Sequence, residues 1–61
     1  MRMVVFTGNA MDYENAALEA QDKLIDYCKA NFIQGNEVIS LAPTVLTEPV
    51  GYTISLWLLL K

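Results

Sequence analysis

A single cysteine, Cys28, and the absence of histidine limit how this chain can be stabilised. One cysteine forms no disulfide within the chain, and the lack of histidine and of a second thiol argues against a tetrahedral metal site. The 61 residues allow one domain, 1–61, and a domain of this size buries only about 60% of the surface that its unfolded form exposes. Self-association is the remaining source of stability. The sequence therefore predicts a homo-oligomer with no metal and no cofactor.

The composition and charge narrow the classes of partner. Hydrophobic residues make up 54% of the chain and charged residues 18%. A chain of this composition has more apolar surface than one small core can cover. The net charge of -3 argues against DNA or RNA as a partner, because binding a line of phosphates requires many Lys and Arg side chains. The apolar run at 52–60 is half as long as a membrane-spanning helix of about 20 residues, so no membrane is expected. The lone thiol, and a first segment without the features of a secretory signal, predict a cytoplasmic protein.

Three strands and one helix are predicted along the chain. Residues 2–7 are apolar, β-branched or aromatic and precede Gly8-Asn9, which predicts a strand followed by a turn. Residues 12–32 lack Gly and Pro and predict one long helix, with Asn9 and Asp12 as alternative N-caps. Residues 38–46 and 52–61 predict two strands, joined by the turn-forming stretch 47–51.

This order of elements predicts a small α+β fold, a single βαββ module. We expect a three-stranded mixed sheet in the order 2-3-1 with one helix on one face. The third strand is apolar on both faces near its end, as in a central strand, whereas Pro43 places the second strand at an edge.

The helix carries two apolar stripes, and one sheet face cannot cover both. The stripe predicted to face the core contains Tyr13, Ala17, Ala20, Leu24, Tyr27 and Cys28. The second stripe recurs every seven residues and contains Leu18, Ile25 and Phe32. The sheet face without a helix must expose either Trp57 and Leu59 or Leu58 and Leu60. We predict an oligomer interface that includes Leu18, Ile25, Phe32, Trp57 and Leu59.

The sequence offers no catalytic residues, so we do not expect an enzyme. Cys28 has no histidine to activate it and belongs to an apolar helix stripe, as inert core thiols do. Asp22 and Asp26 lie one turn apart on the charged helix face, as solvated carboxylates do.

Two ends of the sheet are candidate ligand sites. Thr7-Gly8-Asn9 is predicted to lead into the helix N-terminus, where backbone N–H groups favour an anion. The hairpin returns Thr47 and Tyr52 to this end, near Tyr13. At the opposite end, Arg2 and Lys61 are predicted to lie side by side, where repetition in an oligomer would let them hold phosphates. Ordinary capping, packing and solvated strand ends remain the alternatives at both sites.

The order βαββ, with VISL opening the second strand and GYTISLWLLLK closing the chain, resembles a small bacterial sporulation-protein family controlled by a mother-cell sigma factor. In size and compactness the chain is also similar to small bacteriophage proteins, some of which oligomerise and sequester nucleotide signals of bacterial defence. This likeness implies a homo-oligomeric, phage-type sponge for a small nucleotide. The alternative is an interaction module that blocks a host or regulatory protein through an apolar helix stripe or a strand edge.

Overall fold

The computed structural model describes all 61 residues as a βαββ module. Its elements are β1 (Arg2–Ala10), α1 (Tyr13–Ala30), a short 3₁₀ helix (Gly35–Glu37), β2 (Val38–Thr47) and β3 (Tyr52–Leu60). The strand order is β1-β3-β2, which confirms the predicted topology and the edge position of β2. Both neighbouring pairs are antiparallel, so the sheet is antiparallel rather than mixed. The chain has no helix with the length and apolar character needed to cross a membrane.

The prediction that β1 ends at Thr7 is wrong. The strand continues to Ala10 and pairs with β3 along its whole length, as far as Tyr52. Gly8 lies inside the strand because the helix passes very close to the backbone there. A Cβ atom on Gly8 would overlap the carbonyl oxygen of Ala16 and lie 2.6 Å from the backbone nitrogen of Ala20. Gly8 therefore permits close packing of α1 on β1, and does not form a turn.

The helix is held by these contacts over β1 and β3. Ala16 and Ala20 are completely buried against the sheet, which agrees for Ala20 with the predicted core stripe and adds Ala16 to it. Ala17 is only half-buried and Tyr13 is exposed. The buried side of the helix is therefore rotated towards β1, because the small residues are needed where Gly8 approaches.

The core lies between the helix and the even-numbered residues of β3. Phe6, Leu58 and Leu60 form its buried centre, and the partly buried Cys28 packs against it. The rings of Phe6 and Tyr27 are 5.3 Å apart in a tilted arrangement, a geometry that aromatic pairs favour. Leu58 and Leu60 thus face inwards, and Trp57 and Leu59 lie on the uncovered face.

The helix ends earlier than predicted, at Ala30. The N–H of Ile33 donates to the carbonyl of Cys28 at 3.0 Å, and the N–H of Phe32 donates to that of Lys29 at 3.4 Å. These two bonds form a Schellman motif. Phe32 occupies the left-handed position of the motif, with a φ of 52°, where glycine is usual. At the other end Asp12 is the N-cap, and its Oδ1 accepts a bond from Nδ2 of Asn15 at 2.8 Å.

Candidate functional site

The strand β2 is the least covered element of the protein. All ten of its residues are exposed, because α1 lies over β1 and β3. The side chains of β2 that share the helix side of the sheet, including Leu41 and Val45, are 49% and 47% exposed. One flank of the helix and one face of β2 therefore form an open, apolar step.

A groove of about 300 Å³ follows this step between α1 and β2. Six of its eight lining residues are hydrophobic, and none is charged. The lining consists of Tyr13, Ala17, Gln21, Leu24, Leu41, Pro43, Ile54 and Leu56. The volume lies at the lower end of the range of small-molecule sites, which are mostly apolar with a few polar groups. Here the polar groups are the Tyr13 hydroxyl and the Gln21 amide.

An aromatic pair lies at the hairpin end of this groove. The rings of Tyr13 and Tyr52 meet edge to face, with centroids 5.8 Å apart and an interplanar angle of 82°. Tyr52 pairs with Thr47 across the hairpin. The predicted meeting of these three residues at one end of the sheet is therefore found, and Tyr13 connects them to the groove.

Thr7, Gly8 and Asn9 do not form the anion site expected of a loop before a helix. They lie in β1, and alternation along the strand places Gly8 under the helix and its two neighbours on the opposite face. Thr7 Oγ1 lies 3.4 Å from Ser55 Oγ, and Asn9 Nδ2 donates to Thr53 Oγ1 at 2.6 Å. The side chains of Thr7 and Asn9 thus belong to the uncovered sheet face, away from Tyr13 and the groove.

This uncovered face has an apolar half and a hydroxyl-rich half. Cross-strand rows place Trp57 between Val5 and Ala42, and Ser55 between Thr7 and Thr44. Trp57 Nε1 donates to Thr44 Oγ1 at 2.9 Å, so the indole is fixed at the boundary between the halves. With Trp57 39% exposed, the face is accessible, but its polar groups are bonded to each other.

Arg2 and Lys61 lie at the end of the sheet opposite the hairpin. Arg2 pairs with Leu60, so both start from the helix side of the sheet, whereas the next residue, Lys61, begins on the other side. The backbone N–H of Lys61 donates to the carbonyl of Glu37 at 2.9 Å. The two residues therefore lie at the same end of the sheet with side chains that start from opposite faces, and no pocket lies between them.

Of the predicted stripe, Leu18 and Ile25 lie on α1 and are 48% and 39% exposed, whereas Phe32 lies beyond the end of the helix and is 82% exposed. Gln21 connects this stripe to the groove, because Leu18 precedes it by three residues and Ile25 follows it by four. The stripe therefore continues the apolar surface of the groove onto the outer flank of α1. We call the exposed surface formed by Leu18, Gln21 and Ile25, with Glu14 and Lys29 at its two ends, the α1 flank.

Of the eight groove-lining residues, only Tyr13 was predicted as a site residue. Ala17 and Leu24 were assigned to the core stripe of the helix, and the other five were not predicted: Gln21, Leu41, Pro43, Ile54 and Leu56. Pro43 in an edge strand was the available signal, since an edge strand beside a single helix is only partly covered. The lateral position of the helix over the sheet could not be predicted from the sequence, because it depends on the packing of Ala16 and Ala20 against Gly8.

Comparisons with protein-family models, with curated proteins and with solved structures found no match to this chain.

Proposed function

We propose that this chain is a non-enzymatic, self-associating binding protein that sequesters a small, ring-containing ligand in the groove between α1 and β2. The observation that carries the proposal is the groove itself, which is mostly apolar, open to solvent and lined by an amide and a phenol. These features suit a flat ring with a few hydrogen-bonding atoms. The protein then acts by removing the ligand from solution.

A nucleotide bound by its base is the ligand class that we propose. A base has two apolar faces that pack on side chains such as Leu41, and polar edges that pair with amides and hydroxyls such as those of Gln21 and Tyr13. The lining has no Lys or Arg, so the phosphates extend beyond the groove. In an oligomer, we assign the binding of these phosphates to Arg2 and Lys61 of a second copy. This is the activity of the phage-type sponges that the chain resembles in size.

Filling the groove tests this proposal. The substitution Ala17→Phe puts a ring into the groove from the half-buried face of α1, and we expect it to weaken ligand binding at least tenfold because the ring occupies the space of the base. Binding is measured by calorimetry with a panel of cyclic and ADP-ribose-type nucleotides and the matching nucleosides. The matched control is Ala30→Phe, at the exposed last residue of the same helix. Absence of binding by the unmodified protein, or equal affinity in the two variants, contradicts the proposal.

A second candidate function is supported by the exposure of β2 and the α1 flank. An apolar groove beside an exposed helix stripe also suits a helical segment of another protein, and the chain would then block a host or regulatory protein. In a pull-down experiment we expect Ile25→Glu to abolish retention of such a partner, because it places a charge in the apolar contact. The control Val50→Glu changes a residue of the hairpin turn that is 69% exposed. Circular dichroism checks that the Ile25→Glu variant is folded. Equal loss with both variants, or unchanged retention by the folded Ile25→Glu variant, contradicts this reading.

A further inference from the structure

We propose that the α1 flank is a self-complementary surface that binds the same flank of a second copy, with the two helices antiparallel and related by a two-fold axis. The inference builds on the self-association in the proposed function and names its surface and partner. Its measurement needs no ligand, so it can fail independently of groove binding.

The α1 flank is symmetric in sequence about the midpoint between Gln21 and Asp22. Leu18 lies three residues before Gln21, and Ile25 lies three residues after Asp22. In an antiparallel pair centred on this midpoint, each Leu18 therefore meets the Ile25 of the other copy. A two-fold interface requires this reciprocity, in which residue i contacts j and j contacts i.

The charges on the flank follow the same symmetry. Glu14 lies seven residues before Gln21, and Lys29 lies seven residues after Asp22. Both are exposed, and neither forms a salt bridge within the chain, where the one ion pair joins Lys23 and Glu19. The antiparallel pair brings each Glu14 beside the Lys29 of the other copy, which gives two ion pairs between the copies. This complementarity favours a second copy over an unrelated helix.

The two ends of the helix extend the symmetry. Met11 precedes Gln21 by ten residues and Phe32 follows Asp22 by ten, and they are exposed by 74% and 82%. Both residues lie just beyond the ends of α1, where the helical register no longer sets their direction, so the proposed pair brings Met11 of one copy and Phe32 of the other only to the same end of the interface.

Phe32 has a conformation that is costly for the isolated chain. Its φ of 52° lies in the left-handed region, which is unfavourable for bulky residues, and its ring is exposed. Glycine would close the same Schellman motif without this strain. The proposed pair gives the exposed Phe32 ring a contact that the isolated chain does not provide.

One contact in the pair is repulsive. Asp22 adjoins the two-fold axis, so its two copies face each other, while the neighbouring Gln21 side chains are neutral. The attraction from the two Glu14–Lys29 contacts and the apolar pairs must outweigh this repulsion between the Asp22 carboxylates. These contacts lie on both sides of the two-fold axis. Added salt weakens the attractive and the repulsive terms together, so salt dependence alone is a poor test.

Exchange of the paired charges tests the register directly. The variants Glu14→Lys and Lys29→Glu each replace both ion pairs with like-charge contacts, and we expect each to raise the dissociation constant of the homodimer about tenfold. Mixing the two variants restores both pairs in a heterodimer, so we expect 1:1 association near the unmodified affinity. Sedimentation equilibrium measures the affinities, and native mass spectrometry separates the heterodimer from the homodimers.

A second variant separates association from folding. The substitution Phe32→Gly removes the strained side chain, so we expect a higher unfolding temperature at a concentration where the chain is monomeric. We also expect dimerisation to weaken about tenfold, because the exposed Phe32 ring is lost from each end of the interface. The control Val50→Gly removes an exposed side chain far from the α1 flank.

The possible outcomes are distinct. Restored association in the mixture, together with a Phe32→Gly variant that folds well but dimerises poorly, supports the α1 flank as the interface. An unmodified chain that stays monomeric at millimolar concentration overturns the inference. A dimer that is insensitive to both charge variants and to Phe32→Gly also overturns it, because association then uses a strand edge or the uncovered sheet face.

Discussion

Replacing Gly8 with alanine is expected to lower the free energy of unfolding by about 3 kcal/mol, the upper part of the range for overpacked sites. The added Cβ would overlap the carbonyl oxygen of Ala16 and approach the nitrogen of Ala20. Both are backbone atoms of a helix, so relief requires the whole helix to move away from β1. A single core of this size contributes only about 3–5 kcal/mol in total, and we therefore expect a largely unfolded protein.

Urea unfolding followed by far-ultraviolet circular dichroism measures this change. The control is Gly35→Ala, since a Cβ at Gly35 meets nothing within 4 Å and its φ is not positive. We expect the control to stay within about 0.5 kcal/mol of the unmodified chain, as at other surface positions. All samples need one protein concentration, because association stabilises the folded state by mass action. Equal stability of the two variants would show that the helix does not pack at this distance.

Replacing Leu58 with alanine is expected to reduce the free energy of unfolding by about 2–5 kcal/mol, the range for large-to-small changes in a core. Leu58 is 2% exposed and lies at the centre of the cluster with Phe6 and Leu60. Its removal leaves a cavity that the central strand cannot close, since β3 is held by hydrogen bonds on both sides.

The same substitution at Leu46 is the matched control for Leu58→Ala. Leu46 lies on edge strand β2 and is 60% exposed, so its truncation removes little buried surface. The midpoint of urea unfolding, read from Trp57 fluorescence, compares the two variants. A large loss at Leu46 and a small one at Leu58 would mean that β3 faces the helix with its other side.

The order of strands followed from the sequence because local signals agreed there. The Gly-free and Pro-free stretch predicted the helix, the turn-forming stretch 47–51 predicted the hairpin, and Pro43 predicted the edge strand. The sequence did not predict which face of β3 packs against the helix, because the residues at the end of the strand are all apolar: Trp57, Leu58, Leu59 and Leu60. The pairing of Phe6 with Leu56 and the position of the helix decide which side is inside.

The candidate site was less predictable than the fold. Gly8 has the same sequence signal whether it forms a turn or admits a close helix, and the turn was the wrong choice. The groove exists because the contacts of Ala16 and Ala20 hold α1 away from β2, and such contacts join residues distant in sequence. Thr47 and Tyr52 were found because the hairpin connection alone pairs them, and Tyr13 was found because α1 begins at that end of the sheet.

The two sheet edges differ in a way that limits how the protein can polymerise. Pairing of a β1 edge with the β2 edge of the next molecule would not close, and would extend into a filament. Lys23 Nζ donates to the carbonyl of Thr7 on β1 at 2.7 Å, which occupies one acceptor of that strand. On β2, Pro43 supplies no N–H group. A chain so rich in apolar residues therefore carries an interruption on each strand from which a fibril would grow.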